Sequence, residues 1–183
     1  MTNETPTKRT RFTLPELAAM KPNGERIVMV TAYDAPGAHL ADETGIELIL
    51  VGDSAAMVVL GHDSTVPATM DEMIVLTRAA RRGAQRALLV ADMPFGSFQV
   101  SDGEAVANAV RFVKESDADA VKLEGGGASL SRVRAIVGAG IPVMGHIGWT
   151  PQAQLGMGGK VKVQGKDRTQ ARGLLADALA VQE

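Results

Sequence analysis

From residue 27 onward, short apolar runs typical of strands alternate with longer segments typical of helices. This alternation constrains the fold more than any other feature of the sequence. Five short runs rich in Val, Ile and Leu are typical of parallel strands buried on both faces. They cover residues 27–31, 48–51, 87–90, 120–123 and 141–144. Longer segments with helical start signals separate them. The alternation therefore predicts repeated βα units around a parallel sheet.

Polar residues at fixed spacing indicate where the intervening helices begin. Three pairs fit the capping box, in which two side chains satisfy backbone N–H groups reciprocally. They are Thr69 with Glu72, Ser101 with Glu104 and, in a looser form, Asp167 with Gln170. Asp34 followed by Pro36 predicts another helix start, because proline in the first turn lacks only an N–H that the helix does not use. Further helices are expected at 13–20 and from about residue 168 onward.

The number of predicted strands leaves two architectures open. A closed (β/α)8 barrel needs eight strands and typically about 250 residues, whereas this chain has 183 residues and five predicted strands. An open doubly wound sheet needs no further strands. The alternation fits both, because both are built from βαβ units. We expect a single domain over residues 1–183, with a polar leader at about 1–13.

Composition narrows the classes of partner. Nineteen Lys and Arg residues against twenty-one Asp and Glu give a net charge of −2, which disfavours binding to nucleic acid or anionic lipid. The absence of cysteine excludes thiolate metal sites. No apolar run approaches the roughly 18 residues of a membrane span, and the leader lacks the apolar core of a secretory signal. We therefore expect a cytoplasmic protein without a membrane or nucleic-acid partner.

Each predicted strand leads into polar residues, and parallel strands bring these ends to the edge of the sheet where active sites lie. The second, third and fourth strands deliver Asp53, Asp92 and Glu124. Three carboxylates at one rim repel one another unless a cation joins them, and Mg²⁺ suits oxygen ligands. The alternative interpretation is that each acid only caps the following helix. Three acids together favour the metal.

Lys122 lies two positions before Glu124, so a regular strand directs both side chains to the same face. We expect Lys122 to hold a substrate carboxylate while Glu124 faces the metal; the alternative is a structural ion pair. Among the histidines only His146, at the end of the fifth strand, has a position suited to a site. His39 falls in a predicted helix and His62 in a loop. Taken alone, His146 fits a packed histidine as well as a catalytic one.

These residues lie in sequence blocks that resemble the ketopantoate hydroxymethyltransferase family, also called 3-methyl-2-oxobutanoate hydroxymethyltransferase. The blocks are TAYDAP at 31–36, VGDS at 51–54, MVVLG at 57–61, VADMPFG at 90–96, VKLEGG at 121–126, PVMGHIG at 142–148, TPQ at 150–152 and VQG at 163–165. The resemblance covers nearly all of the chain after the polar leader. It implies a (β/α)8 TIM barrel of the phosphoenolpyruvate/pyruvate class, present here as its first five or so βα units.

The resemblance also implies a reaction and a set of site residues. The family transfers a hydroxymethyl group from 5,10-methylenetetrahydrofolate to 3-methyl-2-oxobutanoate, which opens pantothenate biosynthesis, and it uses Mg²⁺. The positions that match its metal ligands are Asp53, Asp92 and Glu124. Those that match its substrate contacts are Asp53, Ser54, Asp92 and Lys122. The family's assembly implies a homo-oligomer, a ring of barrels.

The chain departs from the family pattern at a few positions. Ala55 and Ala56 stand where the family commonly has Leu-Gly, and Trp149 stands where an aliphatic residue is more usual. By resemblance, the proton-abstracting glutamate lies on a sixth strand, beyond the helix that ends at Glu183. We therefore expect no catalytic base within residues 1–183. Two alternatives remain open: a noncatalytic subunit that associates with intact homologues, and another Mg²⁺-dependent lyase or mutase acting on a 2-oxo acid.

Overall fold

A computed structural model describes residues 10–183 and contains one sheet of five parallel strands with helices between them. The strands are β1 Met29–Thr31, β2 Leu48–Val51, β3 Leu88–Asp92, β4 Ala120–Glu124 and β5 Val143–His146. The helices are α1 Leu14–Met20, α2 Ala35–Glu43, α3 Ala55–Val58, α4 Met70–Gly83, α5 Asp102–Ser116, α6 Leu130–Gly138 and α7 Arg168–Gln182. Single 3-10 turns cover Gly127–Ser129 and Pro151–Ala153. All five predicted strands are present, and β3 to β5 end slightly later than predicted.

The order of the strands decides between the two architectures that the sequence left open. Each strand pairs in parallel with its predecessor, in the order β1-β2-β3-β4-β5. A doubly wound sheet reverses its order at a switch point, whereas a barrel adds its strands sequentially. The described residues therefore form an arc of a (β/α)8 barrel, as the family resemblance implies.

The helix starts follow the local signals in the sequence. Thr69 accepts the backbone N–H of Glu72 at 3.2 Å, and Glu72 accepts that of Thr69 at 2.8 Å, which confirms the predicted capping box. Ser101 accepts the N–H of Glu104 at 3.1 Å, but the return hydrogen bond does not form between these two residues. Ser101 is exposed, so water can satisfy its N–H. The other predicted starts are confirmed at Thr13, Asp34 and Asp167.

Apolar side chains cover both faces of the central strands. On the outer face, Ile49, Leu89 and Val121 are fully buried against the helices. On the inner face, a smaller cluster of Leu48, Leu88, Val90 and Ala120 packs against Leu17 of α1. Strands β2 to β4 are thus buried on both faces, as predicted. The same expectation is wrong for the two edge strands: Val30 of β1 is 43% exposed and no residue of β5 is fully buried, because each lies at an edge with no described strand beyond it.

Two of the predictions made from the sequence concern the amino-terminal leader and membrane-spanning segments. The predicted leader at about 1–13 falls mostly outside the described residues, and its last residue, Thr13, caps α1. Within residues 10–183, no helix is both long and apolar enough to cross a membrane.

Candidate active site at the carboxyl edge of the sheet

The carboxyl ends of β2, β3 and β4 bring four charged side chains together in a cleft of about 630 Å³. Asp53 follows β2, Asp92 ends β3, and Lys122 and Glu124 lie on β4. Each of the four residues is buried. Charged side chains are seldom buried without a partner or a function. Their convergence at this edge therefore identifies the candidate active site, in the place that the sequence predicts.

The closest partner of Lys122 is Asp92 rather than Glu124. The Lys122 Nζ donates to Asp92 Oδ1 at 2.7 Å and Oδ2 at 2.6 Å, whereas Glu124 Oε1 lies 4.0 Å away. Asp92 and Lys122 are directly paired in the β3–β4 register. Neighbouring strands lie about 4.8 Å apart, while residues two positions apart on one strand are separated by about 6.6 Å. The predicted shared face of Lys122 and Glu124 is correct, but the main ion pair crosses between strands.

Burial shifts the titration of two of these carboxylates. Desolvation raises the pKa of Asp92 to about 6, against the opposing attraction of Lys122 and with the help of the nearby Asp53. Desolvation also raises the pKa of Glu124 to about 7, against the attraction of Lys122. One buried ammonium thus faces three buried carboxylates. The three carboxylates at this edge of the sheet therefore carry more negative charge than Lys122 neutralises.

Gln152 donates a hydrogen bond to one oxygen of each of two carboxylates, Asp53 and Glu124. Its side-chain Nε2 donates to Asp53 Oδ2 at 2.9 Å, and its backbone N–H donates to Glu124 Oε2 at 3.1 Å. The sequence interpretation assigned no role to Gln152. Its only signal was the TPQ block at 150–152, which carries the family resemblance.

The oxygen atoms of these carboxylates could hold a divalent cation together with water or a ligand. Among residues 10–183, no three His, Asp or Glu side chains are arranged to hold a metal ion on their own. Mg²⁺ is usually held by one or two carboxylates, with water and substrate oxygens completing its shell. Asp53 Oδ1 and Glu124 Oε1 accept no hydrogen bond from the described residues, and both side chains line the cleft. The arrangement fits a magnesium site of that kind.

Ser54 lies at the entrance to α3, beside Asp53, and also lines the cleft. Its Oγ lies 2.9 Å from the hydroxyl of Tyr33, which follows β1. Ala55 and Ala56, the two departures from the family pattern next to Ser54, are fully buried. The sequence interpretation did not include Tyr33 among the site residues, although the TAYDAP block contains it. The contact becomes visible only when β1 is placed beside β2.

His146 ends β5 and lines the same cleft, whereas His39 lies in α2 and His62 in a loop, as predicted. The His146 Nε2 lies 2.5 Å from the carbonyl oxygen of Trp149. A carbonyl only accepts, so Nε2 carries the proton and Nδ1 of the neutral ring is an acceptor. Burial, followed by the charge of Lys122, lowers the pKa of His146 and favours this neutral form.

A second cleft, of about 720 Å³, lies between residues 157–166 and α7. Its one carboxylate, Asp177, accepts the backbone N–H of Gly127 at 3.2 Å. It contains none of the strand-end acids of the sheet, so the first cleft is the candidate active site.

Sequence comparisons give a consistent result. Residues 11–183 match the family described as ketopantoate hydroxymethyltransferase. The 3-methyl-2-oxobutanoate hydroxymethyltransferase of Moorella thermoacetica is 58% identical over 176 residues, which are 96% of this chain and 65% of that protein. The enzyme of the same name from Heliobacterium modesticaldum is 57% identical over 172 residues, which are 94% of this chain and 62% of that protein. The chain therefore spans somewhat less than two thirds of these relatives.

Solved structures share the fold at much lower identity. A phosphonopyruvate hydrolase in complex with oxalate and Mg²⁺ aligns with a TM-score of 0.66 at 14% identity, over 91% of this chain and 58% of its own. A phosphoenolpyruvate phosphomutase from Streptomyces platensis subsp. rosaceus aligns with a TM-score of 0.64 at 19% identity, over 90% and 60% respectively. At this identity the likeness establishes the fold alone, the arc of a (β/α)8 barrel.

Proposed function

Because the chain belongs to the ketopantoate hydroxymethyltransferase family, we propose that it forms the part of such an enzyme that binds the metal and the 2-oxo acid. The reaction is transfer of a hydroxymethyl group from 5,10-methylenetetrahydrofolate to 3-methyl-2-oxobutanoate, which gives ketopantoate and opens pantothenate biosynthesis. The observation that supports this proposal most is the buried cluster of three carboxylates and one lysine in a single cleft.

We assign the metal to Asp53 and Glu124, with Asp92, the third ligand that the family resemblance implies, held beside them by Lys122. Asp53 and Glu124 each offer an oxygen that accepts no hydrogen bond from a described residue, and the nearest cation to that of Glu124 is Lys122 at 4.0 Å, while both oxygens of Asp92 contact Lys122. When bound there, Mg²⁺ would supply a Lewis acid for the carbonyl and carboxylate oxygens of the 2-oxo acid. The excess negative charge of the rim favours a cation at this position.

Lys122 and Ser54 would bind the carboxylate of the substrate. The Lys122 ammonium has three N–H donors, so its contacts with Asp92 leave it able to donate to a ligand. The Ser54 hydroxyl can donate beside it, because the Tyr33 hydroxyl can in turn donate to Ser54 Oγ. Two anchors on one carboxylate fix the direction of the rest of the substrate. They would hold its C3 in place for proton removal.

Divalent-ion dependence is the first test of this function. The chain should be joined to the remaining C-terminal part of the Moorella thermoacetica relative and assayed for ketopantoate formation. We expect no product after thorough chelation and full recovery with Mg²⁺. Asp53→Asn and Asp92→Asn should raise the Mg²⁺ requirement, whereas Asp71→Asn, whose side chain is 83% exposed, serves as the matched control. Full turnover after chelation contradicts the proposal.

The 183-residue chain alone tests the location of the base. We expect it to form no ketopantoate, because the family's glutamate matches no position in this sequence and loss of a general base typically costs about 10²- to 10⁴-fold in rate. The measurement is product formation by the mass-verified chain beside the joined protein. Comparable turnover would place the base within these residues, and His146→Gln would then be the first variant to examine.

A further inference from the structure

We propose that Gln152 is a positioning residue, which fixes one oxygen of Asp53 and one of Glu124 so that their other oxygens are held ready for Mg²⁺. This inference rests on the proposed function, and it assigns a role to a residue outside the expected ligands. Among the hydrogen bonds of the described residues, Gln152 is the one residue that donates to both of these carboxylates.

The contacts of Gln152 fix the orientation of its amide. Nε2 donates to Asp53 Oδ2 and to the carbonyl oxygen of Met93, each at 2.9 Å, and Oε1 accepts from Gln99 Nε2 at 3.4 Å. The carbonyl of Met93 only accepts, so the amide nitrogen must face it and Asp53. Gln152 is 3% exposed, which shields these hydrogen bonds from competition with water. The side chain thus has one stable orientation.

The backbone of Gln152 acts on the second carboxylate. Its N–H donates to Glu124 Oε2 at 3.1 Å, and the residue lies in the 3-10 turn Pro151–Ala153 that follows β5. A backbone donor in a turn is fixed in direction, whereas Glu124 has three rotatable side-chain bonds. The hydrogen bond therefore selects one orientation of a long side chain that would otherwise sample several.

Holding one oxygen sets the direction of the other. The terminal torsion of a carboxylate is broad, so without a partner the free oxygen of Asp53 has no fixed direction. With Oδ2 held by Gln152, Oδ1 is the oxygen left for a ligand, and the same argument applies to Oε1 of Glu124. Residues that orient metal ligands typically contribute about 10- to 100-fold to metal affinity.

Mn²⁺ binding to the 183-residue chain tests this role without any turnover. Mn²⁺ replaces Mg²⁺, and the signal of free Mn²⁺ in electron paramagnetic resonance gives the dissociation constant. We expect Gln152→Met, which keeps the side-chain length but removes the amide, to bind Mn²⁺ about 10- to 100-fold more weakly. The matched control is Gln154→Met, since Gln154 is two residues away and donates to neither carboxylate.

A purely structural role gives a different pattern. Thermal unfolding of each variant shows whether it folds, and a structural residue would lower the unfolding temperature without changing the Mn²⁺ affinity of the folded protein. If Gln152→Met does not fold, Gln152→Asn provides the test. Its amide is one methylene shorter and cannot reach both Asp53 and the Met93 carbonyl, so we expect weaker Mn²⁺ binding here as well.

The outcomes separate this inference from the proposed function. If the parent chain binds no Mn²⁺, both are wrong. If the parent binds Mn²⁺ and the folded Gln152 variant binds it equally well, the positioning role is wrong and the metal site stands. An equal loss in Gln154→Met would also overturn the positioning role, because it would show that any change in this turn weakens the site.

Discussion

Asp42, near the amino edge of the sheet, and Asp92, at its carboxyl edge, are buried to the same degree but have different neighbours. Asp42 accepts the backbone N–H groups of Arg86 and Ala87, at 3.0 and 2.7 Å, in the segment that leads into β3. Asp92 accepts two hydrogen bonds from Lys122 and the backbone N–H of Asp53 at 3.2 Å, and Glu124 lies 4.0 Å from the same Lys122 ammonium. A buried acid whose oxygens the backbone occupies is a structural element, whereas Asp53 and Glu124 beside Asp92 each keep an oxygen that accepts no hydrogen bond from the described residues.

The charge balance differs between the two edges in the same way. At the amino edge, Asp119 accepts the N–H of Leu89 at 2.8 Å and pairs with Arg81 at 2.9 Å and Arg11 at 3.3 Å. Two carboxylates there share two guanidinium groups and a backbone donor, since Arg11 also pairs with Asp117 at 2.6 Å. At the carboxyl edge, three carboxylates have one ammonium. The first arrangement is complete without a ligand, and the second is completed by a cation.

The largest expected effect is on stability at the amino edge. Asp42→Asn should lower the free energy of unfolding by about 2–3 kcal/mol, because it replaces a charged acceptor by a neutral one and directs its NH₂ group at the backbone N–H of Arg86, which Oδ2 accepts at 3.2 Å. Urea denaturation near neutral pH measures this difference. Asp71→Asn, in an exposed position, is the control. A change no larger than that of the control would mean that Asp42 is not a structural acid.

At the carboxyl edge of the sheet, we expect a substitution to lower the affinity for the substrate. Lys122→Met should weaken binding of 3-methyl-2-oxobutanoate in the presence of Mg²⁺ by about 10- to 100-fold, the value of a charged hydrogen bond in a buried site. Trp149, the single tryptophan, lines the cleft, and its fluorescence can follow the titration. Lys114→Met, at an exposed position of α5, is the control. Equal affinities would leave Lys122 with a structural role only.

A smaller effect on stability is expected at the helix cap formed by Thr69 and Glu72. The pKa of Glu72 is shifted in the direction opposite to that of Glu124. The backbone N–H and hydroxyl of Thr69 lower the pKa of Glu72 below its usual 4.5, whereas burial raises that of Glu124. Thr69→Ala should cost about 1 kcal/mol of unfolding free energy near neutral pH. A lowered carboxylate pKa stabilises the fold above the unfolded value, and this contribution is lost as pH falls through the folded pKa.

The deficit of Thr69→Ala should therefore shrink as the pH falls below about 4. Urea denaturation of parent and variant at several pH values measures it. Ser101→Ala is a useful comparison, since the backbone N–H of Ser101 does not donate to the Glu104 carboxylate, and its deficit should depend less on pH. A deficit for Thr69→Ala that stays constant with pH would exclude the contribution of ionised Glu72.

The smallest effect is expected for Glu124→Gln. Glutamine keeps an oxygen for the N–H of Gln152 and removes one of three negative charges from the rim. We expect the unfolding free energy in metal-free buffer near pH 8 to stay within about 0.5 kcal/mol of the parent value or to rise. Urea denaturation beside Asp42→Asn measures the contrast. A loss as large as that of Asp42→Asn would abolish the distinction between the two edges.

The sequence by itself determined the helices and strands and most of the residues of the candidate site. Hydrophobic period and capping pairs such as Thr69 with Glu72 depend on interactions within a few residues, so they can be detected along the chain. The rule that parallel strands share one carboxyl edge then placed Asp53, Asp92 and Glu124 together. The family resemblance added the barrel.

Only the tertiary structure decided which residues touch. The exposure of β1, the pairing of Lys122 with Asp92 and the contact of Tyr33 with Ser54 all depend on which strand lies beside which. Gln152 reaches Asp53 from a position 99 residues further along the chain. Spacing along the sequence carries no information about such distances, because the strand order and the path of each loop set them.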